Sequence, residues 1–118
     1  MVTRRFLAAY GPATYHDWAR WWGGGIATAR QCLAALGDEV SAVELDGEKA
    51  WMLAADACEA RELPALRSVR LLPAFDQYVI GASHHAEHLL AADVRSPVYR
   101  PQGWLSPVLS IDGFMQGV

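Results

Sequence analysis

Thiol chemistry is nearly absent from this 118-residue chain, which has two cysteines, Cys32 and Cys58. They lie too far apart for a disulfide framework or a cysteine-based metal pattern, so reduced thiols in a cytosolic protein are the simpler reading. No apolar run approaches the ~20 residues of a membrane span, and no charged-then-apolar leader opens the chain. The expectation is a cytoplasmic protein with no membrane partner. Nucleophile motifs are missing too: there is no Gly-x-Ser-x-Gly, and Gly23-Gly24-Gly25 follows a helical pattern rather than a strand, which makes it a poor phosphate cradle. No cofactor is signalled, and no segment is of low complexity. Charge is scarce at 19% of residues, with a net of −3, which does not support the chain-wide basicity of a strong stand-alone DNA binder.

The chain does have apolar bulk. More than half of the residues are hydrophobic, at 53%, and five are tryptophan, so a packed aromatic core, a partner surface or both are expected. The length suits one domain with a real core. The few charges are segregated. Residues 1–37 carry Arg4, Arg5, Arg20 and Arg30 against Asp17 alone, whereas residues 38–62 carry eight acids against Lys49 and Arg61. From residue 63 onward, arginines and acids balance. A basic front of this kind allows a local nucleic-acid face.

Patterning places three helices first. Arg4 to Tyr10 is helical in character and ends at Gly11-Pro12. Thr14-Tyr15-His16-Asp17 has the form of a capping box, with a hydroxyl at the cap and an acid three residues on. Tyr15, Trp18, Ala19 and Trp22 share a face and are expected in the core. The triple glycine breaks that helix, and Ile26 to Leu36 forms the third, with Ile26, Ala29, Leu33 and Leu36 as its buried stripe and Gly37 as its stop. Glu39 to Leu45 alternates as a strand, Asp46-Gly47 is a strong hairpin signal, and Ala50 to Leu53 returns. A helix-turn-helix followed at once by a hairpin reads as a winged helix.

Beyond it, Ala54 to Leu66 reads as a short helix or loop closed by Pro64, and Val69 to Leu72 as a strand. His84 to Ala91 reads as helical, Pro97 to Pro101 as extended, and Leu105 to Ile111 as a strand turning at Asp112-Gly113. The fold class is therefore α+β: a winged helix-turn-helix over residues 1–66, then a small antiparallel β-rich subdomain over 67–118. That last part ends inside a strand, which suggests a truncated chain and a sheet edge through which a homodimer could form.

Chemistry-bearing candidates are few. Thr28 and Gln31 face away from the third helix's apolar stripe, with Arg30 at its edge; glutamine can read adenine edges and arginine guanine. The competing reading is an ordinary solvated face. Arg4, Arg5 and Arg20 could meet phosphates or simply be scattered surface arginines. His84, His85 and His88 form the densest titratable cluster, but its order is not the zinc pattern and no further ligand is signalled, so a solvated helix face is favoured and no metal is assigned. Trp21 and Trp104 are the tryptophans expected to be exposed. Asp76 follows the stop at Pro73 and lies between Phe75 and the Gln77-Tyr78 pair, ahead of Gly81. It is read as organising a sharp turn through backbone hydrogen bonds, not as a functional acid.

Several blocks recur here in the order of one family: Arg5-Phe6-Leu7 through Tyr10-Gly11-Pro12-Ala13-Thr14, Asp17-Trp18-Ala19-Arg20-Trp21, the Val43-to-Gly47 hairpin, Arg70-Leu71-Leu72-Pro73-Ala74-Phe75-Asp76, and Pro107-Val108 through Asp112-Gly113. The chain resembles the winged-helix DNA-binding family of AlkZ-like crosslink-repair DNA glycosylases over nearly its whole length, with Pro73, Phe75, Asp76 and Gly81 as its marker turn. The resemblance implies a double-stranded DNA partner and the C-terminal portion of a protein about three times longer. The family's catalytic Gln-x-Gln or Gln-x-Asp motif has no counterpart among Gln31, Gln77, Gln102 and Gln116, so no catalytic residue carries over. His84-His85 stand where the family has an Asp-Arg pair. The alternative expectation is a structural or protein-interaction domain without DNA binding.

Overall fold

The computed structural model describes residues 1–82 and 86–118. The chain forms two compact units, Met1–Leu63 and Pro64–Val118.

The first unit opens with α1 (Val2–Tyr10), α2 (Tyr15–Trp22) and α3 (Ile26–Ala34). The start of α2 is fixed by its sequence: the Asp17 backbone N–H donates to Thr14 Oγ1 at 3.2 Å, and the Thr14 N–H donates to Asp17 Oδ2 at 2.7 Å. This reciprocal capping box satisfies two donors that a helix start otherwise leaves open. Its end is fixed by Gly23, left-handed at φ 80, whose N–H returns to the Ala19 carbonyl. A 3-10 turn over Gly37–Glu39 then leads into β1 (Val40–Leu45), which pairs antiparallel with β2 (Glu48–Leu53). Asp46 and Gly47 both take positive φ at the tip, as the two-residue hairpin requires. Ala13 exchanges backbone hydrogen bonds with Trp51, at 2.9 and 2.8 Å, which ties the segment between α1 and α2 to the hairpin. Phe6, Leu7, Trp18, Ala29, Leu33 and Leu36 form the buried core, with Val40, Trp51 and Leu53 packed on it. A Leu33→Ala change there removes ~2–5 kcal/mol. Helix α4 (Ala54–Ala60) closes the unit.

Of the expected core residues, Tyr15 is only partly buried and two are exposed. Trp22 is 54% exposed, because it is the last residue of α2 and lies on the outer side of Trp18, rings 5.8 Å apart. Ile26 is exposed as the first residue of α3, where no turn precedes it to complete the buried stripe.

The second unit has a three-stranded antiparallel sheet, β3 (Val69–Leu72), then, beyond the helices, β6 (Val108–Ile111) in the middle and β7 (Phe114–Gly117). One face of it, carrying Val108, Ser110 and Met115, is buried with Val79, Ala82, Leu90 and Val98 in a second core. Between β3 and β6 run α5 (Gln77–Ala82), α6 (Ala86–Leu89), α7 (Ala92–Val98) and a two-residue ladder of β4 (Tyr99–Arg100) with β5 (Trp104–Leu105). Gln77 to Ala82, to which the sequence assigns no element, is helical: Asp76 caps it, and Val79 and Ala82, three apart, share the core. Two local readings are corrected here. Pro97 lies in the last turn of α7 instead of opening an extended run. The run from Leu105 to Ile111 is broken at Ser106, whose N–H and hydroxyl donate to the carbonyls of Val98 and Pro97.

Candidate nucleic-acid interface

Helix α3 turns Ala29 and Leu33 into the core and leaves Thr28 and Gln31, one turn apart, in solvent. Arg30 is also exposed, but its guanidinium lies over the Tyr15 ring, 5.4 Å from the centroid, so it is folded back toward α2. On α2, Arg20 is exposed in the last turn. On α1, Arg5 is exposed, whereas Arg4 is engaged: its Nε and Nη2 donate to the two Glu39 carboxylate oxygens at 2.6 and 2.7 Å. This bidentate pair raises the Arg4 pKa and holds the Glu39 carboxyl below its ordinary range, in both cases chiefly through the side-chain hydrogen bond. The six candidates are thus carried by three helices, and Arg4 and Arg30 are held by Glu39 and by the Tyr15 ring. Sequence reasoning could not see the Arg4–Glu39 pair, which joins residues 35 apart.

The turn at Pro73–Asp76 has a defined geometry. The Asp76 N–H returns to the Pro73 carbonyl at 3.3 Å, and Asp76 Oδ1 accepts the Tyr78 N–H at 2.8 Å. Asp76 therefore caps α5, and Gly81 lies within that helix. Phe75 occupies the third position of the turn at φ 60, a left-handed conformation that bulky side chains rarely adopt, at a cost of order 1–3 kcal/mol. Its ring meets Trp104 edge-on, centroids 5.1 Å apart at 78°. No pattern in the sequence announces this pair, since phenylalanine carries no signal for positive φ. A second aromatic cluster joins Phe6, Tyr10, Trp21 and Trp22, and Trp21 is exposed as expected.

His84 and His85 lie outside the described residues. A cleft of about 280 Å³ is lined by His88, Leu90, Val94, Phe114 and Met115, and His88 is its sole titratable residue among these. Among the described residues, no helix is long and apolar enough to cross a membrane.

The family model described as DNA glycosylase AlkZ-like matches residues 1–118. An interstrand DNA cross-link repair glycosylase from Streptomyces sahachiroi is 38% identical over 120 residues, covering 99% of this chain and 32% of that protein. The solved structure of Streptomyces sahachiroi DNA glycosylase AlkZ superposes with a TM-score of 0.88 at 37% identity, over 97% of this chain and 32% of that one. The chain therefore spans about a third of the length of these relatives and shares their mixed fold of helices and small antiparallel sheets.

Proposed function

The chain belongs to the DNA glycosylase AlkZ-like family, and on that premise we propose that it is a duplex-DNA-binding module, the C-terminal portion of a glycosylase-type repair protein. In this reading residues 1–66 form a winged helix, with α2 and α3 as the helix-turn-helix and β1–β2 as the wing, and residues 67–118 form the β-rich part. The carrying observation is the division of α3: Ala29 and Leu33 are buried, and Thr28 and Gln31 are left for a groove. The two bonds between Ala13 and Trp51 support the wing, because they tie the hairpin to the segment that joins α1 and α2. Arg5, Arg20 and Arg30 supply phosphate contacts, and Arg4 joins them when released from Glu39. The module positions DNA, and base excision depends on residues outside this chain, whose glutamines lack the Gln-x-Gln spacing. A glycosylase must reach a flipped or exposed base, and a backbone clamp is what holds the duplex while it does so.

The test is a salt titration of duplex binding, followed by fluorescence anisotropy of a labelled duplex. With about three phosphate contacts, log K falls with log salt at a slope near −3. Absence of binding at low salt overturns the proposal for this chain. It would favour instead a protein-interaction domain, for which the outer face of the β3–β6–β7 sheet speaks: Val69 and Leu71 are 72% and 83% exposed there, with Ile111 and Phe114 beside them. A second copy meeting this face or its edge strands would give the homodimer.

A further inference from the structure

Phe75 and Trp104 are two large rings held half in water, at 44% and 53% exposure. Burial does not explain them; backbone geometry does. Among the described residues, four non-glycine residues have positive φ. Asp46 and Asp112 are the first residues of Asp-Gly hairpin turns, where that conformation is ordinary. The other two are Phe75 itself and Gln102, in the loop that delivers Trp104. Both strained residues thus serve the same ring pair. Their carriers are also locked together, because the Tyr99 hydroxyl at the base of the β4–β5 ladder donates to the Val79 carbonyl in α5, the helix that begins just after the Phe75 turn, at 2.8 Å. Arg100 is the ladder partner of Trp104, which puts an exposed guanidinium on the same face as the indole.

A rigid, exposed pair of π-systems beside a cation fits a planar aromatic ligand carrying negative charge. We propose that Phe75 and Trp104 form a stacking platform for an unstacked nucleobase, with Arg100 taking the adjoining phosphate. This inference rests on the DNA-binding reading above and adds to it a preference for duplexes with an extrahelical base. Base–aromatic stacking tolerates any base, because every base offers a π-face.

The 118-residue chain is titrated against two duplexes that carry 2-aminopurine, one with the base fully paired and one with it in a single-nucleotide bulge. The bulged duplex is expected to bind about tenfold tighter, and the 2-aminopurine emission to fall on binding as the base stacks. Trp104→Ala and Phe75→Gly are expected to abolish that preference while keeping paired-duplex affinity within about twofold. Phe75→Gly also separates the roles: glycine accepts φ 60 without strain, so thermal stability is held or rises as the preference is lost. Paired-duplex binding with no bulge preference in the wild type, or a preference that survives in a folded variant, overturns the platform and leaves the DNA-binding reading standing. Failure to bind either duplex overturns both.

Discussion

Arg4 shows how one partner changes what a basic residue can offer. Its guanidinium is held bidentately by Glu39, and the pair is exposed, each side chain at about half of its free surface. Replacing Glu39 with glutamine keeps the shape and removes the charge that holds the arginine. In Glu39→Gln the released Arg4 becomes a further phosphate contact, so the salt slope for duplex binding should steepen by about 1, with binding tighter at low salt. The same pair gives a pH dependence of known sign. The Glu39 carboxyl is depressed in the folded chain, so the pair's contribution is present above the ordinary glutamate range and lost as pH falls through the lowered value. An unchanged slope in the variant would mean that Arg4 does not face the duplex. Residues whose bonds close within four positions were legible beforehand, as with Thr14 and Asp17 or the two Asp-Gly turns. Arg4–Glu39 and the left-handed Phe75 were not, because the first depends on the tertiary fold and the second runs against intrinsic preference.

Among the elements, α2 is the one whose limits the sequence states most fully, with a capping box at one end and a left-handed glycine at the other. It also orients the turn into α3, so its integrity bears on both the core and the proposed interface. Thr14→Ala removes the acceptor of the Asp17 N–H and should cost about 1 kcal/mol, read as a lower urea midpoint at an unchanged denaturant slope. A loss below a few tenths of that would show the cap to be redundant with the Ala13–Trp51 bonds beside it. Elements that were harder to read failed for identifiable reasons. Tyr78-Val79-Ile80 combines an aromatic with two β-branched residues, types that favour strands, yet the Asp76 cap and the burial of Val79 and Ala82 three residues apart make it helical. Pro97 suggests an extended segment, but in the last turn of α7 it ends the helix one residue later without preventing it. In the candidate interface, the exposure of Thr28 and Gln31 follows from helical periodicity. The stacking of Arg30 on Tyr15 does not, because it joins two helices.

For the chain as a whole, the proposed duplex contacts and the proposed base platform fall in different compact units. Arg4, Arg5, Arg20, Thr28, Arg30 and Gln31 all lie within Met1–Leu63; Phe75, Arg100 and Trp104 lie within Pro64–Val118. The first unit has a core of its own, from Phe6 to Leu36 with Trp51 and Leu53 against it, although a domain near 60 residues is only marginally stable. A fragment of residues 1–63 is therefore expected to unfold cooperatively, at a lower temperature than the full chain, as followed by circular dichroism. If it folds, it should bind the paired duplex with the salt slope of the full chain and lose the bulge preference, because the phosphate contacts stay and the platform goes. Its net charge is no more favourable than that of the full chain, since the acids of residues 38–62 remain while the balanced charges beyond them are removed. Retained affinity would therefore reflect where the arginines sit and not a gain in overall basicity. A folded fragment with a much shallower slope would instead place part of the phosphate contact on the second unit, with Arg67, Arg70, Arg95 and Arg100 as the residues to substitute next.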